Sequence, residues 1–350
     1  MKLTCSQADL NNALRTVSRA IGSGKTHPIL SGVLLVATDT GELHLTGYDL
    51  DIGIQCFIPA AVTTPGTCVA PHRMLAEIVS RLSDAITLAV DDARLALTAA
   101  GGSYSLSAGD PTDYPDLPVV TAAAGAPLDL AGHLAAVLPS ASTDASKQLL
   151  TGVHLAADGS TLRLEATDGH RLAVRTLPSD AAAFDLVIPA RSLQLVRQQA
   201  TISADNAHAA IQLADGTRII SRILDGTYPN VRALIPATFK TELTVNREAL
   251  LHSLERVAVI ADQHNSVVKL TADAKAITLS AEAETNSGVE SVPCTGKLPA
   301  MAANAHYLIA GLRSLDGETI TISANEATTP VVLTGAVGQT YLVMPVQVRQ

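Results

Sequence analysis

Three stretches of this chain repeat one another in order, and that repetition constrains the fold more than any single motif. Each opens with a strand-like run and an amphipathic helix: LTCSQADLNNALRTVSRAI from Leu3, PLDLAGHLAAVLPSAS from Pro127 and TELTVNREALLHSLERVAVI from Thr241. Alternating strand-like segments follow each opening: SGVLLVATDTGELHLTG from Ser31, TGVHLAADGSTLRLEATD from Thr151 and NSVVKLTADAKAITLSAEAE from Asn265. The openings lie about 115 to 125 residues apart, close to the usual size of one domain. The reading is three copies of one α+β domain, each with two helices packed on antiparallel sheets, over residues 1–122, 123–239 and 240–350.

With 47% hydrophobic and 16% charged residues in 350, the chain can bury several cores built on Ala, Leu, Val and Ile. No run approaches the length of a membrane span and the N-terminus lacks a signal-peptide pattern, so a cytoplasmic protein is expected. Cys5, Cys56, Cys68 and Cys294 are scattered without metal-ligand spacing and read as small buried hydrophobes. A net charge of −9 counts against a protein that coats nucleic acid by global attraction; any such partner must meet one local basic face.

The helices have such faces. Leu10, Leu14, Val17 and Ile21 share one stripe, and Arg15 and Arg19 lie off it; Leu250, Leu254 and Val257 repeat the stripe, with Arg247, Ser253 and Arg256 off it. Each repeat has a second helix, in TCVAPHRMLAEIVSRL, LVIPARSLQLVRQQA and AHYLIAGLRSL. There Met74, Ile78 and Leu82, and likewise Leu193 and Val196, mark buried stripes, leaving Arg73, Arg81, Arg191, Arg197 and Arg313 to solvent or a partner. A face needed only for solubility is the plainer alternative for any one of them.

Several motifs invite a catalytic reading and fail it. Gly22-Ser23-Gly24-Lys25-Thr26 ends like a phosphate-binding loop, but the glycine required five positions earlier is Arg19, and the segment closes a helix instead of joining a strand to one. Lys25 is better read as a loop cation for a phosphate backbone. Asp168-Gly169-His170-Arg171 holds an acid, a base and a cation without a nucleophile, and Gly169 suggests a turn. The ten histidines form no HExxH, Asp91-Asp92 sits in a strand turn, and no carboxylate set for Mg²⁺ declares itself. No catalytic residue, metal or cofactor is expected.

Six features occur in order along the whole chain: THPILSGV (Thr26 to Val33), LTGYDLDIGI (Leu45 to Ile54), DYPDL (Asp113 to Leu117), ATDGHRLAV (Ala166 to Val174), DGTYPNVRALIP (Asp225 to Pro236), which pairs with DYPDL, and YLVMP (Tyr341 to Pro345). Together with the triplication they resemble the bacterial DNA polymerase III β subunits, the sliding clamps. The resemblance implies a head-to-tail homodimer closed as a six-domain ring, helices lining the hole, that encircles double-stranded DNA of any sequence. On that reading Arg15, Arg19, Lys25, Arg73, Arg81, Arg191, Arg197, Arg247 and Arg256 meet phosphates, and the ring tethers the polymerase without catalysis.

It further implies an apolar pocket for short linear motifs of the polymerase III α subunit, clamp loader, mismatch-repair and translesion proteins. Its residues would be Leu150, Thr167, Gly169, His170, Arg171, Leu172, Pro229, Leu234, Pro330, Leu342, Met344 and Pro345. Two departures stand out. The tail runs on through Gln347, Val348, Arg349 and Gln350, and Gly24 replaces an arginine common in the family's early loop, leaving Lys25 as its substitute. A structural scaffold without DNA and a nucleotide-dependent enzyme are the competing classes.

Overall fold

The computed structural model describes residues 1–121, 127–181, 183–262 and 265–347; the expected 122/123 boundary and tail residues Val348, Arg349 and Gln350 lie outside these. The first repeat runs β1 (Lys2–Ser6), α1 (Gln7–Val17), β2 (Gly32–Ala37), β3 (Glu42–Tyr48), β4 (Ile52–Pro59), β5 (Ala61–Thr64), β6 (Gly66–Pro71), α2 (His72–Val79), β7 (Ala85–Asp91), β8 (Arg94–Ala99) and β9 (Gly102–Ser107). The second runs α3 (Ala131–Val137), β10 (Gly152–Ala157), β11 (Thr161–Thr167), β12 (Arg171–Pro178), β13 (Phe184–Pro189), α4 (Ala190–Leu193), β14 (Ala200–Ala204), β15 (His208–Leu213) and β16 (Arg218–Arg222). The third runs β17 (Thr241–Asn246), α5 (Arg247–Ala261), β18 (Val267–Ala272), β19 (Ala276–Ala283), β20 (Asn286–Gly296), β21 (Leu298–Asn304), α6 (Ala305–Ser314), β22 (Thr319–Ala324), β23 (Val331–Thr334) and β24 (Gln339–Val343).

The repeats share one strand order, with one strand missing from the second. The orders β6-β2-β3-β4, β13-β10-β11-β12 and β21-β18-β19-β20 are the same four-stranded arrangement, and β1-β7-β8-β9 corresponds to β17-β22-β23-β24. The second repeat has only β14-β15-β16 there, with an isolated bridge between Leu128 and Ala200 in place of the first strand. Strands also pair across repeats: β16 joins β4 and β24 joins β12, both antiparallel. Compactness therefore cuts across the repeats, into one unit of Met1–Leu128 with Gln198–Ile223 and another of Asp129–Arg197 with Leu224–Gln350.

Local sequence explains where the main helices start. The Ser6 hydroxyl accepts from Asp9 N–H at the start of α1, Asn246 Oδ1 accepts from Ala249 N–H at 2.9 Å before α5, and Asn304 Oδ1 accepts from His306 N–H at 2.9 Å before α6. The same heptad-like positions are buried in all three opening helices: Leu10, Leu130 and Leu250; Leu14, Leu134 and Leu254; Val17, Val137 and Val257.

Three expectations are corrected. In α2 the helix starts at His72 with Pro71 as its cap, so the dry face is His72, Leu75 and Val79, and Met74 is 50% exposed. The His72 ring nitrogen Nε2 lies 3.0 Å from the Leu14 carbonyl, which satisfies its burial against α1. Ser253, expected off the apolar stripe of α5, is buried with its hydroxyl against Glu290. The second helix of the middle repeat is only one turn: after Leu193 the chain tightens through Leu195 N–H to Ser192 O and Val196 N–H to Leu193 O, and enters β14 at Ala200.

Candidate functional site

Residues far apart in sequence converge on one buried apolar cluster of the second unit. Leu172 on β12 sits opposite Leu342 on β24, which sits opposite Val332 on β23. These three pack with Val174, Val187, Tyr228 and Val231, and Leu150, Leu149, Ile235 and Phe239 lie half-buried against them. Pro229 and Met344 are exposed and Pro330 and Pro345 half-buried. Leu234, in the short helical turn Val231–Leu234, is 52% exposed and stands outside the packed cluster.

Beside this cluster lies the turn between β11 and β12. Gly169 has φ +95°, a left-handed conformation that favours glycine. Asp168 closes the turn: its Oδ1 accepts from His170 N–H at 2.9 Å and Arg171 N–H at 3.1 Å, while Oδ2 accepts from Arg171 Nε at 2.9 Å. The Thr167 hydroxyl donates to Arg171 O at 2.6 Å. The tail is tied to the same turn, because Met344 N–H donates to His170 O at 2.8 Å; Val346 N–H then bonds Ala302 O at 2.7 Å.

Sequence reasoning missed Tyr307 of α6. The Arg171 guanidinium carbon lies 4.5 Å from the centre of its ring, and the His170 ring stacks 6.4 Å away. Lys147 was missed too; its Nζ donates to Asp168 O at 2.9 Å. The only signal for Tyr307 was its rarity, as an aromatic in a chain that has 3% of them. A buried apolar cluster is thus flanked by a cationic, aromatic turn.

Beside this cluster lies a charge network, buried at His154 and Glu165 and open to solvent at Asp185. His154 Nδ1 is 2.9 Å from Glu165 Oε2, its Nε2 is 3.0 Å from Asp185 Oδ1, and Arg163 Nε is 2.7 Å from Glu165 Oε1. Burial works against the imidazolium, but the hydrogen bonds to Glu165 and Asp185 outweigh it and raise its pKa above the usual value. The ring stacks on Tyr228 at 4.8 Å, linking the network to the buried apolar cluster.

The candidate phosphate contacts divide by their surroundings. Arg15, Arg19, Lys25, Arg73, Arg81, Arg191 and Arg197 are all exposed; Arg81 also donates to Glu77 Oε1 at 3.0 Å. Arg247 and Arg256 are engaged within the chain. Arg247 donates to Gly317 O at 2.9 Å and Leu312 O at 3.3 Å, closing the end of α6, and Arg256 grips both Glu290 oxygens at 2.7 and 2.8 Å. Arg313, expected to face solvent or a partner, donates to Glu255 Oε1 at 2.7 Å.

Cys5 and Cys68 are buried, with thiols pushed up to about 12 and about 11 chiefly by burial. Among the described residues no three metal-ligating side chains cluster, and no helix is long and apolar enough to cross a membrane.

The triplicated α+β architecture, with its strands joined across repeats, defines the class of three-domain clamp-fold proteins. Family models for the DNA polymerase III beta subunit match in order: the N-terminal domain over residues 1–118, the central domain over 129–230 and the C-terminal domain over 232–347. The chain is 39% identical over 375 residues to the beta sliding clamp of Synechococcus elongatus, covering 100% of both. It is 31% identical over 381 residues to that of Bacillus subtilis, covering 99% of this chain and 100% of that one.

Among solved structures, the Bacillus subtilis DNA polymerase sliding clamp superposes with a TM-score of 0.93 at 28% identity over 100% of both chains. The Helicobacter pylori beta clamp bound to DNA ligase peptide shares the fold, with a TM-score of 0.90 at 22% identity over 99% of this chain and 100% of that one. The chain belongs to the bacterial DNA polymerase III beta subunit family, the beta sliding clamps. It is a non-catalytic processivity factor of DNA replication within the polymerase III holoenzyme.

Proposed function

We propose that two copies close head to tail into a six-repeat ring that encircles duplex DNA irrespective of sequence and tethers the replicative polymerase at the fork in the cytoplasm. The observation that carries this reading is the pair of strand edges left over by the repeat. In two of three places the last strand of one repeat pairs with the fourth sheet strand of another, β16 with β4 and β24 with β12. The matching strands β9 and β20 have no such partner within the described chain. A long unpaired edge invites association, and one complementary pair of edges per chain closes two copies by a heterologous contact.

The register follows from the two pairings already made. Ile219 faces Ile54 and Tyr341 faces Ala173; the corresponding residues at the open edges are Tyr104 of one copy and Gly288 of the other. By the same correspondence Ser105 meets Ser287 and Ser103 meets Val289. Tyr104 is 38% exposed on β9, and Val289 is 68% exposed on β20 with Val259 of α5 65% exposed, so each open edge carries apolar side chains for the other copy to cover.

The exposed cations among Arg15, Arg19, Lys25, Arg73, Arg81, Arg191 and Arg197 are proposed to meet phosphates weakly enough for sliding, because a closed ring is retained by topology. The pocket bounded by Leu150, Thr167 to Leu172, Pro229, Leu234, Tyr307, Pro330, Leu342, Met344 and Pro345 is proposed to take short linear motifs of the polymerase α subunit, clamp loader, mismatch-repair and translesion proteins. The peptide-bound Helicobacter pylori relative supports a peptide as occupant.

The test is retention on nicked circular duplex after loading. A clamp stays on the intact circle and runs off once the circle is cut; loss from the intact circle, or equal retention on cut DNA with free ends, contradicts encirclement.

A further inference from the structure

The three opening helices share one buried register, so their exposed positions can be compared directly. The position held by Arg15 in α1 is Ala135 in α3 and Glu255 in α5; the position held by Arg19 is Pro139 in the second repeat and Val259 in the third. One helical site thus passes from basic to neutral to acidic across the repeats. The surrounding ion pairs extend the gradient. Arg15, Arg19, Lys25 and Arg73 of the first repeat are exposed and form no ion pair among the described residues. The α3 helix, AGHLAAV, has no Lys or Arg.

In the third repeat every helical Arg is spent internally. Arg256 holds both oxygens of Glu290 and also donates to the Ser253 hydroxyl at 3.1 Å, Arg313 is paired with Glu255, and Arg247 is bonded to the Leu312 and Gly317 carbonyls. A phosphate approaching Arg256 must displace a carboxylate from a two-point fork, one approaching Arg313 meets its pair with Glu255, and one approaching Arg247 meets a guanidinium with Glu248 Oε1 4.0 Å away. Approaching the first repeat, it meets solvated, uncompensated cations.

We infer that the first repeat supplies the electrostatic hold on the duplex, through Arg15, Arg19, Lys25 and Arg73, while the helices of the third repeat form a charge-neutral lining. This rests on the encirclement reading. It makes the grip uneven around the ring: each copy contributes one basic sector, and DNA slides past a third-repeat sector that releases few counterions.

The test is the salt dependence of binding to a short linear duplex of random sequence, which can thread the assembled full-length protein. One variant combines Arg15→Gln, Arg19→Gln, Lys25→Gln and Arg73→Gln. The other combines Arg256→Gln, Glu290→Gln, Arg313→Gln and Glu255→Gln, which removes both members of each pair and keeps the net charge. Unfolding midpoints and solution mass establish that each variant folds and assembles. The inference expects the first variant to flatten the slope of log K against log salt by about 0.9 for each phosphate it no longer neutralises. The second should keep the slope of the unaltered protein. Equal flattening by both, or flattening by the second alone, overturns it while leaving encirclement intact. No salt-dependent binding by the unaltered protein overturns the encirclement reading and this inference together.

Discussion

His154 is the residue whose surroundings make the sharpest demand on solution conditions, since both of its ring nitrogens face carboxylates. Its folded pKa is raised, so its contribution to stability is complete below the unfolded histidine value of about 6.5 and is lost as pH rises through the folded value. The midpoint of thermal unfolding should fall over that interval, and His154→Gln should flatten the fall; superimposable pH profiles would refute the assignment. At the proposed peptide site, Met344 is an exposed apolar side chain whose backbone is fixed to His170. Met344→Ala should weaken a peptide bearing Leu and Phe anchors by about tenfold, roughly 1.4 kcal/mol. Fluorescence polarisation checks this, and unchanged affinity would place the anchor elsewhere.

At the scale of elements, the strands of the third repeat depend on Gly296, where β20 meets β17. It has φ +116°, and a Cβ there would run into the Glu242 carbonyl. Gly296→Ala should cost about 1–3 kcal/mol in denaturant unfolding; a neutral change would mean that the junction yields easily. The α1 stripe was legible because Leu10, Leu14 and Val17 recur at helical spacing with a polar remainder. The phase of α2 was misread because Met74 looks as apolar as Leu75, and only packing against α1 makes His72 the inward residue. The turn Asp168 to Arg171 was legible from its glycine and acid. The fork between Arg256 and Glu290 was not, because a helix and a strand well separated in sequence meet only in the folded chain. Tyr307 escaped for the same reason, being brought to Arg171 by α6 packing.

At the scale of the whole molecule, a net charge of −9 and a duplex partner are compatible only if the cations are local and retention is mechanical. The proposed closure rests on strand edges and a few apolar groups, and Tyr104 is central to it. Tyr104→Ala should shift the solution mass toward the 36.2 kDa single chain at low micromolar concentration, and a variant as dimeric as the parent would remove Tyr104 from the interface. The closure itself is tested most directly by a disulfide across the proposed register. Facing residues of antiparallel strands bring Cα atoms within disulfide range. Ser105→Cys and Ser287→Cys are introduced together in a Cys294→Ser background, since Cys5, Cys56 and Cys68 are buried. On oxidation the account predicts a reducible covalent species at twice the 36.2 kDa chain mass, formed only when both cysteines are present. Oxidised protein that remains at the single-chain mass would contradict closure through these edges.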